Sequence, residues 1–116
     1  MRKFRILLLA LFVSTVALCS EVFQGKASYY GNEFEGRTTA NGEIYTHNKF
    51  TCAHRTLPFG TKLKVTNLSN NKVVYVTVND RGPFHASRII DVSKSAAQQL
   101  GFVNAGTATV SVEIVE

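Results

Sequence analysis

The stretch TKLKVTNLSNNKVVYVTV, Thr61–Val78, holds the clearest local pattern in the chain. From Thr61 to Leu68 the side chains alternate. Leu63, Val65 and Asn67 fall on one side, and Lys62, Lys64, Thr66 and Leu68 on the other, which is the period of a half-buried strand. Ser69-Asn70-Asn71 supplies turn chemistry, and Lys72–Val78 (KVVYVTV) is a β-branched run back. Together they predict an antiparallel hairpin.

Working outward, Lys26–Tyr30 (KASYY) reads as a short strand closed by Gly31. Glycine and polar residues dominate from Gly31 to Asn48 and predict a long loop. Ile89–Val92 (IIDV) is a third apolar run. Ser93–Leu100 predicts a short helix, with Ser93 as N-cap and Gly101 just past the C-terminus. Thr107–Val115 alternates again through Ala108, Val110, Val112 and Ile114. Several short strands, one small helix and no βαβ rhythm point to a mainly β fold, a compact barrel.

Size and composition fit that reading. The chain has 116 residues, 45% hydrophobic and 18% charged, with 2 cysteines. That is one domain with one core, too small for a two-domain nucleotide enzyme and too poor in cysteine for a disulfide scaffold. Gly31, Gly36 and Gly42 form no phosphate-binding motif ahead of a helix, so nucleotide binding has no support.

The formal charge of +5 suggests nucleic acid until the first residues are set apart. Arg2, Lys3 and Arg5 precede the apolar run Ile6–Val13, and small residues follow at Ser14, Thr15 and Ala17 before Cys19-Ser20. This is the pattern of a secretory signal peptide, and the run is too short to predict a membrane-spanning helix. Residues 1–20 are therefore expected to be removed and 21–116 to form the domain. Removing three of the 13 Lys+Arg leaves 10 against 8 Asp+Glu, a net +2, so no nucleic acid partner is expected. Val16-Ala17-Leu18-Cys19 loosely resembles a lipoprotein signal, although Leu18 stands where a small residue is usual. A lipid on Cys19 is the one membrane attachment the sequence suggests.

Five polar residues carry the candidate chemistry: Glu43, His54, Asp80, Arg81 and Asp91. Asp80 lies where a strand runs into the turn Gly82-Pro83, and an Asx-turn role would suffice for it. Asp91 sits among Ile89, Ile90 and Val92, which suggests a carboxyl beside an apolar wall, or a helix cap. Two carboxylates at adjoining strand ends suit polysaccharide cleavage, which needs a proton delivered to the bridging oxygen. Cys52-Ala53-His54 invites a thiol–imidazole reading but offers no third orienting group. His47, Cys52, His54 and His85 match no common zinc spacing, and no metal is expected. Tyr29, Tyr30, Phe34 and Tyr45 suit either sugar stacking or the core.

Six blocks then occur in order: GKASYYG (25–31), RTTANGE (37–43), AHRTLPFGT (53–61), VTNL (65–68), VNDRGPF (78–84) and RIIDVS (88–93). They resemble the rare lipoprotein A family, the septal-ring lytic transglycosylases, over essentially all of Gly25–Val115. The resemblance implies a six-stranded double-psi β-barrel with one or two short helices. It implies an exported, periplasmic lyase that needs no cofactor. Its substrate is the glycan strand of peptidoglycan, cut between N-acetylmuramic acid and N-acetylglucosamine, with strands stripped of stem peptides preferred.

Residue by residue, Glu43, His54, Asp80 and Asp91 match the family's motif positions and are the candidate catalytic residues. Tyr29, Tyr30, Thr39, Asn41 and Arg81 are the candidate substrate-binding residues, and a monomer is expected. Asp91 is favoured as the proton donor because its apolar flanks desolvate it, and Asp80 as an anion if Arg81 pairs with it. None of the blocks matches the glycan-binding repeat that many relatives carry, so septal targeting is not implied. A non-cutting, expansin-like wall-binding protein is the rival reading.

Overall fold

The computed structural model describes residues 21–116. The expected segment 1–20 and Cys19 lie outside them. Six strands close into a barrel: β1 (Val22–Tyr29), β2 (Thr51–Ala53), β3 (Lys62–Asn67), β4 (Val73–Asp80), β5 (Arg88–Val92) and β6 (Ala108–Ile114). Their order around the barrel is β1-β5-β2-β4-β3-β6, closed by pairing of β6 with β1. The β1–β5 and β2–β4 pairs are parallel and the other four antiparallel.

The predicted hairpin is β3–β4, registered from Lys62 opposite Thr77 to Thr66 opposite Val73. Its turn contains Asn71 at φ 62°, a left-handed conformation that asparagine tolerates better than most residues. The alternation holds: Leu63 and Val65 are fully buried, and so is Asn67. A polar side chain on the inward face needs a partner, and Asn67 Nδ2 donates to the carbonyl of Leu100 at 2.9 Å.

Helix α1 (Lys94–Leu100) begins and ends as its sequence predicts. The Ser93 hydroxyl accepts from Ala96 N, and Gly101 at φ 79° returns its N–H to Ala97 and Gln98. Its Ala96, Ala97 and Leu100 face join Ile90, Val92, Val110, Val112 and Phe102 in the core.

Two features exceed the sequence reading. β1 starts at Val22, four residues earlier than Lys26, because β6 continues alongside it from Ala108 to Glu113. β2 is only Thr51–Ala53, yet it joins β5 to β4 in the barrel. The long loop carries a 3-10 turn at Asn32–Phe34 and a single bridge between Thr38 and Ile44.

Candidate functional site

Strand register lines up four residues. Ser28 on β1 pairs with Asp91 on β5, Asp91 with Ala53 on β2, and Ala53 with Asp80 on β4. Paired residues point to the same side of a sheet. Asp91 and Asp80 therefore flank Ala53, two strand spacings or about 10 Å apart at the backbone. All four line one open pocket of about 460 Å³, together with Tyr29, Tyr30, Glu33, Phe34, Arg81, Phe84 and Arg88.

Asp80 is fixed by three donors. Its Oδ1 accepts from the backbone N–H of Ala40 and of Arg81, each at 2.9 Å, and its Oδ2 from the Tyr30 hydroxyl at 2.7 Å. Tyr30 is stacked on the buried Tyr45 ring at 4.2 Å, so its hydroxyl has little freedom. Burial, then the bond to Asp80, pushes the Tyr30 phenol far above its ordinary value, so it stays a donor.

Asp91 accepts from the Ser28 hydroxyl, and Arg88 Nη1 approaches that same hydroxyl at 3.5 Å. Here the structure corrects one expectation. Ile90 and Val92 are fully buried in the core, whereas Asp91 lines the pocket. Neighbours in a strand point to opposite faces, so those two flanks provide no apolar wall for the carboxyl.

The condition set for Asp80, a side-chain pairing with Arg81, is not met either. The Arg81 guanidinium turns away, lies 4.0 Å from the Phe59 ring centroid, and donates to the carbonyls of His54 and Asp80. Arg81 still lines the pocket.

Glu43, Thr39, Asn41 and His54 lie outside the pocket lining. The RTTANGE loop folds on itself: Thr39 Oγ1 donates to Asn41 Oδ1 at 2.7 Å, and Asn41 Oδ1 also accepts from Glu43 N. The loop then docks on the end of β4. Asn41 N donates to the Asn79 carbonyl, Ala40 N to Asp80, and Asn79 Nδ2 to Glu43 Oε1 at 3.0 Å. The Asn79 amide is the main reason the Glu43 carboxyl is held below its ordinary value. Asn79 Oδ1 is buried and meets no donor among the described residues.

His54 Nδ1 accepts from the N–H groups of Thr56 and Leu57, at 3.2 and 3.1 Å. With Nδ1 an acceptor, this network assigns the ring proton to Nε2. Desolvation, then the charges of Arg81 and Arg55, lowers its affinity for a second proton.

The thiol reading of Cys52 fails. The side chain is completely buried, and desolvation raises the thiol far above its usual value. His47 is bound to Tyr45 and Asn32, and His85 to Ser87. Tyr29 packs edge-on against Phe102 and donates to the Val103 carbonyl. Ser28, Glu33, Ala53, Phe84 and Arg88 were absent from the sequence-derived site; cross-strand register, which no single strand announces, brings Ser28, Ala53 and Arg88 there.

Comparisons with known proteins bear on the family and the fold. The sequence profile described as lytic transglycolase matches residues 22–112. The endolytic peptidoglycan transglycosylase RlpA of Neisseria meningitidis is 62% identical over 89 residues, which is 77% of this chain and 37% of that one. Its namesake from Campylobacter jejuni is 52% identical over 104 residues, 90% of this chain and 38% of that one. The chain thus spans less than two fifths of the length of these relatives. Among solved structures, the Streptomyces papain inhibitor superposes with a TM-score of 0.67 at 22% identity, covering 83% of this chain and 96% of its own. Apo Clavibacter michiganensis expansin gives 0.64 at 24% identity, covering 83% and 51%. At such identities these two share the double-psi barrel and no more.

Proposed function

This chain belongs to the lytic transglycolase family, and on that footing we propose that it cleaves peptidoglycan glycan strands to 1,6-anhydro-muramyl ends. The observation that carries the reading is the placement of Asp80 and Asp91 on either side of Ala53 in one open pocket. Glycan cleavage needs a proton at one point and negative charge at another, and two separated carboxyls supply both.

In the proposed reaction Asp91 protonates the bridging oxygen as the bond from the muramyl anomeric carbon to that oxygen breaks. The muramyl 6-hydroxyl attacks the same carbon, closes the anhydro ring and gives its proton to the Asp91 carboxylate, which restores the acid. No water is consumed, and intramolecular attack supplies the proximity advantage. Asp80, oriented by three donors, faces the developing positive charge. Glu43, Thr39 and Asn41 act at one remove by holding the loop that gives Ala40 N to Asp80. His54 shapes the turn beside Arg81, and Tyr29, Tyr30 and Arg81 contribute pocket wall.

Export with loss of residues 1–20 belongs to the same proposal, as does a periplasmic site of action with or without a lipid at Cys19. Intact-mass analysis of the envelope fraction should give an N-terminus between Cys19 and Glu21; a chain starting at Met1 in the cytoplasm overturns it. For the activity, the purified protein is incubated with peptide-stripped peptidoglycan and the products are weighed by mass spectrometry. Anhydro ends support the reading, and ends one water heavier replace it with hydrolysis. Binding without any product favours the expansin-like alternative, which the shared barrel keeps in view.

A further inference from the structure

The segment between β4 and β5, Arg81–Ser87, joins the two aspartates and forms part of the pocket wall. It turns at Gly82, whose φ of 129° suits only glycine. One side chain from another loop holds it. Arg55 Nε donates to the Pro83 carbonyl at 2.6 Å, and Arg55 Nη2 donates to the carbonyls of His85 and Arg88. The planar guanidinium fork thus takes three carbonyls across six residues, a geometry lysine cannot reproduce. Arg88 N returns a bond to the His85 carbonyl, and Ser87 Oγ meets His85 Nδ1.

This tightly held loop presents Phe84 to water, 87% exposed and at the pocket edge. The other aromatic rings of the pocket have partners. Tyr30 stacks on Tyr45, Phe34 meets Tyr30 edge-on with Arg37 at 5.9 Å, and Tyr29 meets Phe102. Among the described residues Phe84 has no aromatic or cationic partner. A ring kept in solvent by a polar clamp is a preorganised surface for an apolar face. Pyranose rings have such a face in their axial C–H groups, while their hydroxyl edges suit the carboxylates and Arg88 on the same pocket.

We propose that Phe84 is the stacking face for a pyranose ring of the glycan bound beside Asp80 and Asp91, and that Arg55 is the positioning residue that holds it there. The inference rests on the glycan reading above and adds a named sugar subsite.

The test uses the full-length protein and peptide-stripped peptidoglycan strands, with both pull-down and anhydro-product kinetics. Phe84→Leu should raise KM about tenfold and weaken pull-down while kcat stays within about twofold, because stacking stabilises ground and transition states alike. Phe84→Trp should behave as wild type. Arg55→Lys should raise KM in the same way and also speed amide hydrogen exchange across residues 84–88, which Phe84→Leu leaves unchanged. Wild-type KM and pull-down in Phe84→Leu, in a preparation that cleaves normally, overturns the subsite and leaves the activity standing. Failure of Phe84→Trp alongside Phe84→Leu also overturns it. If wild type binds strands without cutting them, the activity falls and the pull-down ratio alone decides the subsite.

Discussion

The Tyr30 hydroxyl and the Asp80 carboxylate, 50 residues apart in sequence, meet at 2.7 Å on the pocket floor. The contact turns a strand-end aspartate into an oriented group, because the other carboxylate oxygen is already held by two backbone N–H groups. Tyr30→Phe removes the donor without removing the ring that stacks on Tyr45. We expect a stability loss of about 1 kcal/mol, the usual net worth of one such bond. Product formation should fall about tenfold or more as Asp80 gains freedom to turn. Thermal melting and anhydro-product yield on the same sample check both; unchanged yield removes Tyr30 from the machinery.

Ala53 decides how much room lies between the two aspartates. It is 2% exposed, and its side chain is a single methyl group. Ala53→Leu should overpack the floor at a cost of about 1–3 kcal/mol and block the glycan, lowering yield by about a hundredfold. Ala53→Gly should cost about 1 kcal/mol through backbone freedom and keep access. Equal activity in the two variants counts against a substrate seated over Ala53.

His54 predicts a pH dependence with a definite sign. Its folded affinity for a second proton is lowered from the ordinary value of 6.5, desolvation being the first cause. Between 6.5 and that lower value the unfolded chain binds the proton and the folded one does not. Stability therefore falls as pH drops through this window and is fully present above 6.5. His54→Asn keeps an acceptor for Thr56 N and Leu57 N but carries no proton to gain. Its melting temperature should follow a flatter course than wild type from pH 7.5 to 5. Parallel curves would show that His54 titrates alike in both states.

Local devices were the legible part of the sequence. The hairpin, the Ser93 cap and the Gly101 terminator each follow from patterns within one short contiguous stretch. β2 was not legible, since three residues have no period, and its place is set by β4 and β5, two strands that follow it in sequence. The site was half legible. Asp80 and Asp91 stand out as acids beside β-branched runs, but what holds them comes from far away: Ala40 lies 40 residues from Asp80, and Ser28 lies 63 from Asp91. Both pairing errors had one cause. Ile90, Val92 and Arg81 were judged by adjacency, whereas strand alternation turns Ile90 and Val92 away from Asp91 and the Phe59 ring and two carbonyls draw Arg81 away from the Asp80 carboxylate.

The sharpest test separates the two aspartates from mere turn-formers. If each only organises a strand end, Asp→Asn at either costs about 1 kcal/mol and leaves cutting intact. The geometry predicts otherwise, and differently for each. In Asp91→Asn the amide oxygen still accepts from Ser28, so fold and glycan pull-down should persist. Product formation should nevertheless drop by about two orders of magnitude or more, the scale of positioned acid catalysis. In Asp80→Asn the amide oxygen can keep both backbone donors, and the Tyr30 hydroxyl can rotate to accept from the new NH₂. The fold should again survive, with yield severely reduced because the charge facing the anomeric centre is gone. Melting temperature, pull-down and anhydro yield are read on wild type and both variants. A folded, binding Asp91→Asn protein with near-normal yield ends its role as proton donor, and lost binding moves it to a sugar-holding role. Loss of product with fold and binding intact is a pattern that a mere turn-forming carboxyl does not produce.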